Sequence, residues 1–91
     1  MKKVIWKFPL LTVGVQNVKM PIGSEILCIQ NQNDTACLWA LVYPEKETEE
    51  RCIEMFGTGH NIYCDMGVDR KYLSTVQLND GELVFHFFER F

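Results

Sequence analysis

Hydrophobic and polar residues alternate over short stretches of this 91-residue chain, and turn residues separate the stretches. Alternation with a period of two is typical of β-strands that have one buried face. The pattern predicts strands at Lys3–Phe8, Leu11–Val18, Glu25–Gln32, Ala36–Tyr43, Arg51–Phe56, Tyr72–Leu78 and Leu83–Glu89. We therefore expect an all-β or mainly β fold: a small antiparallel barrel or sandwich of about six or seven strands, with room for one short helical turn.

The clearest predicted hairpin joins the third and fourth strands through Asn33–Asp34. Asparagine and aspartate tolerate the left-handed backbone conformation that a two-residue hairpin loop demands. If these two residues form the loop, Cys28 lies opposite Trp39. Asp80–Gly81 is a similar signal between the last two strands, so a second antiparallel hairpin is expected there.

Two predicted strand segments, Leu38–Tyr43 and Leu83–Phe88, are apolar on both faces. Such strands suit positions that are covered on both sides. A domain of this size has too little other structure to cover both of them. We therefore expect a symmetric homodimer or a higher homo-oligomer that buries these faces.

The composition is that of a folded, acidic, globular protein. Hydrophobic residues make up 47% and charged residues 23% of the chain, which is expected to form one domain over residues 1–91. The net charge of −3 argues against DNA or RNA as a partner, because phosphate binding favours a basic excess. No apolar run approaches the roughly 20 residues of a membrane span, so no membrane association is expected. The four cysteines, without a secretory signal, are interpreted as reduced thiols of a cytosolic protein, and the acidic residues 45–50 as a solvated loop.

The most distinctive chemistry lies in Gly57-Thr58-Gly59-His60, directly after a predicted strand. Two glycines allow positive φ or close approach of another group, and exposed amides of such a turn can hold an anion. His60 can contact a ligand there, or it can cap the turn by hydrogen bonding to the backbone. Arginine can bind a phosphate through two parallel hydrogen bonds. The predicted ligand-binding residues are Arg51, Gly57, Thr58, Gly59, His60 and His86.

The sequence contains no assembled catalytic or metal-binding pattern. Two-histidine phosphoesterases need His-x-Thr/Ser twice, whereas His60 is followed by Asn-Ile and His86 by Phe-Phe. Zinc sites typically use paired ligands such as Cys-x₂-Cys, a spacing that the four cysteines of this chain do not have. No Gly-Lys-Ser/Thr follows the glycine turn, as a nucleotide-hydrolase loop would require. We therefore expect no catalytic residue, no metal and no cofactor.

Four segments are distinctive when taken together: Glu25–Gln32, Cys37–Val42, Phe56–His60 and Gly81–Glu89. In them the chain resembles a family of bacteriophage and prophage proteins of about this length, a domain of unknown function. The Gly-Thr-Gly-His turn and the terminal Val-Phe-His-x-Phe-Glu strand carry most of the resemblance, which extends over nearly the whole chain. The resemblance implies a phage setting and the host cytoplasm, and it implies no activity.

Three functions are compatible with these features. The first is a small phage-type, non-enzymatic binding protein, an anti-defence factor that sequesters an anionic nucleotide-like signal in a pocket of a homo-oligomer. The second is a protein-interaction or structural module that blocks or assembles with a host or virion protein through aromatic-rich strands. The third is a phosphoesterase that uses His60 with Asp65 or Asp69. A concave cationic pocket around His60 would favour the first, and a flat apolar surface would favour the second.

Overall fold

The fold is all-β, as the alternation predicts. The computed structural model describes residues 1–64 and 66–91, and these residues contain no helix. The strands are β1 (Val4–Pro9), β2 (Val15–Pro21), β3 (Glu25–Gln32), β4 (Thr35–Val42), β5 (Thr48–Gly57), β6 (Arg70–Leu78) and β7 (Leu83–Arg90). Nothing in this described part of the chain is a helix long and apolar enough to cross a membrane.

The seven strands form two antiparallel sheets that pack as a sandwich and do not close into a barrel. The three-stranded sheet has the order β1-β4-β3, and the four-stranded sheet has the order β2-β5-β7-β6. The strands β4 and β7, whose sequences are apolar on both faces, are both central. The Cα atoms extend over 43 × 37 × 16 Å, and the short dimension fits two sheets packed about 10 Å apart.

The hydrophobic core lies between the two sheets. Ile29 and Leu38 come from the three-stranded sheet, Ile53 and Phe87 from the four-stranded sheet, and all four are fully buried. Burial of apolar area is the main term that stabilises such a sandwich, at about 25 cal/mol per Å². Phe87 is the largest of the fully buried side chains, so truncating it to alanine would cost roughly 3–5 kcal/mol.

The first predicted hairpin is confirmed in its turn and in its register. Asn33 and Asp34 have φ values of 52° and 62°, the left-handed conformation expected of the loop. Cys28 lies opposite Trp39, as a two-residue loop requires. The register shifts only beyond this pair, at an irregularity between Ile26 and Cys28.

The two hairpin turns meet at one side of the sandwich and join the sheets there. The carboxylate of Asp34 accepts a hydrogen bond from the backbone N–H of Asn79 at 2.6 Å. Farther along the same side, the Ile29 N–H donates to the Ser74 hydroxyl at 2.9 Å. Through these side-chain hydrogen bonds, β3 and its turn are connected to β6 and the turn that follows β6. The two strands belong to different sheets and are not paired by backbone hydrogen bonds.

The second strand begins later than the alternation predicts. Residues 11–18 are predicted to be extended, but β2 begins at Val15. The reason is the side chain of Gln16, which donates to the Leu11 carbonyl at 2.9 Å and accepts from the Leu11 N–H at 3.1 Å. These two bonds hold the preceding backbone in a bend.

The acidic loop is shorter than predicted. Of residues 45–50, the last three belong to β5. There Glu50 lies opposite Lys19 of β2, and opposite charges across a ladder favour pairing. The charge that suggests a solvated loop therefore lies on the exposed part of a strand.

Replacing Asp34 with glycine tests the bond between the turns. Glycine keeps the positive φ but removes the acceptor of the Asn79 N–H, so we expect the free energy of unfolding to fall by about 1 kcal/mol. Asp34→Asn is the matched control, since asparagine keeps an acceptor oxygen and tolerates the same φ; a change below about 0.5 kcal/mol is expected. Urea titrations measure both variants, and equal losses would contradict this role of Asp34.

Candidate functional site

The glycine turn, residues 57–60, follows β5 and is closed by His60. The His60 N–H donates to the Gly57 carbonyl at 3.1 Å, and the ring Nδ1 accepts from the Gly57 N–H at 3.2 Å. A Cβ added to Gly57 would lie 2.7 Å from the ring Cε1 of His60, so glycine leaves the room that the ring needs. Gly59 serves the turn differently, through a φ of +85°. His60 therefore caps the turn, and its contact with a ligand stays a prediction.

His86 ties the glycine turn to the outer surface of the four-stranded sheet. Its Nε2 lies 2.7 Å from the Thr58 hydroxyl, and its Nδ1 lies 2.9 Å from the Thr75 hydroxyl. The Thr75 hydroxyl is in turn 2.7 Å from the phenol oxygen of Tyr72. Thr58 and His86, both predicted from the sequence, are thus brought together, and a row of hydrogen bonds runs from the turn to Tyr72.

An open cavity of about 470 Å³ lies beside the glycine turn. It is lined by Gly57, Thr58, His60 and residues 82–85. Glu82 brings a carboxylate to this lining, and the other three residues of 82–85 are apolar. The surroundings of His60 therefore lack the concave cationic character that would favour a small anionic ligand. Among residues 1–64 and 66–91, no three His, Cys, Asp or Glu side chains are grouped so as to hold a metal ion.

Arg51 lies away from the glycine turn, on the core-facing side of the sheet. Alternation along β5 places Arg51 on the same face as the buried Ile53. Six residues of extended chain, about 20 Å, separate Arg51 from Gly57. The guanidinium forms a bidentate ion pair with Glu89 and also donates to the Ser24 carbonyl at 2.9 Å. The predicted ligand-binding residues are thus divided between two places.

The ion pair between Arg51 and Glu89 is largely buried, with side chains 17% and 4% exposed. The hydrogen bond to Glu89 outweighs the effect of burial and raises the pKa of Arg51 above its ordinary value. A guanidinium held in this way has few donors left for a ligand. The cavity next to it, also about 470 Å³, is lined by three glutamates and two arginines, an excess of negative charge.

An aromatic surface, not among the predicted site residues, covers the outer side of the four-stranded sheet. The ring of Phe88 is its centre: the Phe56 centroid lies 5.8 Å away at 72°, and the Tyr72 centroid 5.6 Å away at 69°. Such edge-to-face contacts contribute roughly 0.5–1.5 kcal/mol each beyond area burial. We call Phe56, Tyr72 and Phe88 the aromatic face. Tyr72 is directly opposite Phe88 in the ladder, because the register of the β6–β7 hairpin shifts between Tyr72 and Ser74.

Two arginines share one carboxylate at the border of the aromatic face. Arg70 Nε donates to Glu54 at 2.6 Å, and Arg90 Nη1 lies 3.7 Å from the same carboxylate. The Arg70 guanidinium also lies 5.8 Å from the ring centroid of Phe56 and donates to the Tyr63 carbonyl at 3.1 Å. Arg70 is thus engaged at this border, and Arg90, whose side chain is 39% exposed, brings a second guanidinium to it.

Replacing Arg51 with alanine should destabilise the fold as a whole. The variant leaves the Glu89 carboxylate buried without its guanidinium, and loss of one partner of a buried pair costs about 3–5 kcal/mol. Arg90→Ala is the matched control, because the Arg90 side chain is 39% exposed and lies 3.7 Å from Glu54; a loss below about 1 kcal/mol is expected. Urea unfolding followed by tryptophan fluorescence measures both. Small and equal losses would show that Arg51 has no structural role.

Comparisons with known proteins identify a family and no activity. No curated protein matches the chain, and no solved structure matches it. A family model, described as a domain of unknown function, matches residues 1–91, in agreement with the resemblance to a family of unknown function. The chain therefore belongs to the DUF7352 family, a domain of unknown function.

Proposed function

We propose that this protein works without catalysis, by binding another protein through the aromatic face. The observation that carries the proposal is the position of Phe56, Tyr72 and Phe88 on the side of the sheet that points away from the core. Tyr72 is 55% exposed. Aromatic rings dominate the binding energy of many protein interfaces. A sheet face is also broad and flat, which suits a macromolecule better than a small molecule that needs a concave site.

The partly exposed guanidinium of Arg90 adds a preference for an acidic partner. Arg70 is held by Glu54, whereas Arg90 reaches the same carboxylate only at 3.7 Å and is partly exposed. A carboxylate on the partner could approach Arg90 and pair with its guanidinium. Complementary charge of this kind contributes more to specificity and association rate than to affinity. The partner surface that fits is therefore an apolar patch beside an aspartate or a glutamate.

The β5–β6 connection brings a further exposed aromatic residue near the same surface. Tyr63 is 71% exposed. The hydrogen bond from Arg70 to the Tyr63 carbonyl holds the backbone of Tyr63 at the border of the aromatic face. Tyrosine is a frequent interface anchor, so Tyr63 could add a contact for a partner that already lies on the aromatic face.

A second candidate is the sequestration of an anionic nucleotide-like signal in a pocket of a homo-oligomer, as an anti-defence factor of a phage in the host cytoplasm. Arg90 follows Phe88 by two residues on the same face of β7, and this placement supports it, because stacking and a guanidinium together suit a base and its phosphate. The cavities beside Arg51 and beside His60 both contain carboxylates. This candidate therefore needs a pocket that a second subunit completes.

The third candidate, a phosphoesterase that uses His60, has less support. The ring Nδ1 of His60 already accepts from the Gly57 N–H. Asp69 exchanges backbone hydrogen bonds with Phe91, and Asp65 lies outside the described residues. Support for this candidate would require that the wild-type protein hydrolyses a phosphodiester and that His60→Ala abolishes this activity.

A photo-crosslinking amino acid at position 72 tests the proposed docking surface. We expect p-benzoylphenylalanine in place of Tyr72 to form a discrete covalent adduct with one protein in a bacterial host, because this position would face the partner. The matched control is the same amino acid in place of Leu27, an exposed residue of the three-stranded sheet. Adduct formation from position 27 and not from position 72 would contradict the proposal.

Affinity measurements on the captured protein then test the chemistry of the surface. Tyr72→Ala and Arg90→Ala should each weaken binding by roughly tenfold or more, about 1.4 kcal/mol, in isothermal titration calorimetry. Leu27→Ala should leave the affinity unchanged. If native mass spectra instead show a bound small molecule that Tyr72→Ala removes, the second candidate replaces the first.

A further inference from the structure

We propose that two copies of this chain associate by pairing their β1 strands, antiparallel, around a two-fold axis. The strand β1 forms one edge of the three-stranded sheet. An edge strand presents N–H and C=O groups outward, and another extended strand is the structure that satisfies them. The proposed contact lies at the edge of β1 and not at the two-faced apolar strands whose burial the sequence predicts, and it does not rest on the aromatic face.

The hydrogen bonds of the β1–β4 ladder determine which residues present polar groups to the open edge. The Leu10 N–H donates to the Ala36 carbonyl at 2.9 Å, so these residues form a hydrogen-bonded pair. Hydrogen-bonded and non-hydrogen-bonded pairs alternate in an antiparallel ladder, so residues 4, 6 and 8 bond to β4 and residues 5, 7 and 9 face outward. Pro9, which has no N–H, lies at an outward position, as expected for an edge proline.

The open edge of β1 is apolar on both sides of the sheet. Val4, Ile5 and Trp6 are between 39% and 58% exposed. Lysine commonly protects such an edge, but Lys7 reaches across the sheet, where its Nζ donates to the Gln32 side chain at 2.8 Å. A second strand beside β1 would cover all three apolar side chains.

Backbone hydrogen bonding favours one register for a second copy. A two-fold axis at Trp6 sets Ile5 opposite the partner's Lys7, and the pair and its symmetry mate form about four backbone hydrogen bonds. An axis at Ile5 would instead pair Lys7 with the partner's Lys3, which lies outside β1, and an axis at Lys7 would set Ile5 opposite the partner's Pro9, which has no N–H for the Ile5 carbonyl. The register centred on Trp6 avoids both losses and brings two indole side chains together.

Three other strands lie at sheet edges: β3 and β6 are joined to each other through side chains, and β2 does not offer the same surface as β1. The Met55 N–H donates to the Gly14 carbonyl at 2.9 Å, so the outward positions of β2 are Val15, Asn17, Lys19 and Pro21. Asn17 and Lys19 are polar, and Lys19 is exposed. The edge of β2 therefore carries the protection that the edge of β1 lacks.

Proline at position 5 tests the strand pairing. Ile5→Pro removes an outward N–H and leaves the donors of the β1–β4 ladder in place. We expect light scattering at tens of micromolar to give twice the 10.6 kDa chain mass for the wild type and the single-chain mass for Ile5→Pro. Asn17→Pro, at an outward position of β2, is the matched control and should remain a dimer. A monomeric wild type, or a folded Ile5→Pro that remains a dimer, would overturn the proposal.

A disulfide cross-link tests the register and does not depend on how well Ile5→Pro folds. In the proposed dimer the Cα atoms of the two Trp6 residues are about 4.5 Å apart, within disulfide range. In a Cys64→Ser background, Trp6→Cys should therefore form a covalent dimer under mild oxidation. Val4→Cys is the control, because its symmetry mate is about 13 Å away along the strand. Cross-linking by Val4→Cys in preference to Trp6→Cys would overturn this register.

The experiments can refute the proposed dimer and the proposed binding function independently of each other. A monomeric protein that still cross-links to a partner through position 72 would refute β1 pairing alone. A dimer that shows no partner contact at position 72 would refute the binding function alone.

Discussion

The register between β5 and β7 determines what this protein can present to a partner. Both strands are central in the four-stranded sheet, so each sends alternate side chains to the core and to the outer surface. In this register Ile53 and Phe87 reach the core, while Phe56 and Phe88 form the aromatic face. A slip of β7 by one residue would exchange its two faces, which would turn the buried Phe87 outward and Arg90 toward the core. The candidate site is therefore a consequence of strand pairing.

Each face of this sheet carries one buried carboxylate that an arginine from another strand holds. Glu89 is paired with Arg51 toward the core, and Glu54 with Arg70 on the outer side. Buried ion pairs contribute little net stability compared with well-packed apolar residues, but separating one is costly. Any slip of β7 along β5 would separate Glu89 from Arg51. The pairs therefore disfavour other registers more strongly than they stabilise the native one.

Features of the fold that depend on residues close together in the chain can be predicted from the sequence. The Asn33–Asp34 loop allows one register, so the pairing of Cys28 with Trp39 was predictable. The sequence pattern presents Arg51 as a candidate ligand contact, since its partner Glu89 lies 38 residues away in the chain. Only the adjacency of β5 and β7 brings the two together, and the alternation of residues does not determine strand order. The contact of Phe56 with Phe88 depends on the same adjacency, and that of Tyr72 with Phe88 on the register shift between Tyr72 and Ser74.

The edge strands β1 and β2 show that the same sequence motif can protect one edge from pairing and leave another open. Both end in lysine, an apolar residue and proline: residues 7–9 in β1 and residues 19–21 in β2. In each strand the lysine and the proline share the outward backbone positions, so the sequences look equally protected. Lys19 lies opposite Glu50 at its own edge, whereas Lys7 is drawn across the sheet to Gln32. A lysine protects an edge strand from pairing with another strand only where its charge lies at that edge. The charge of Lys7 lies away from the open edge of β1.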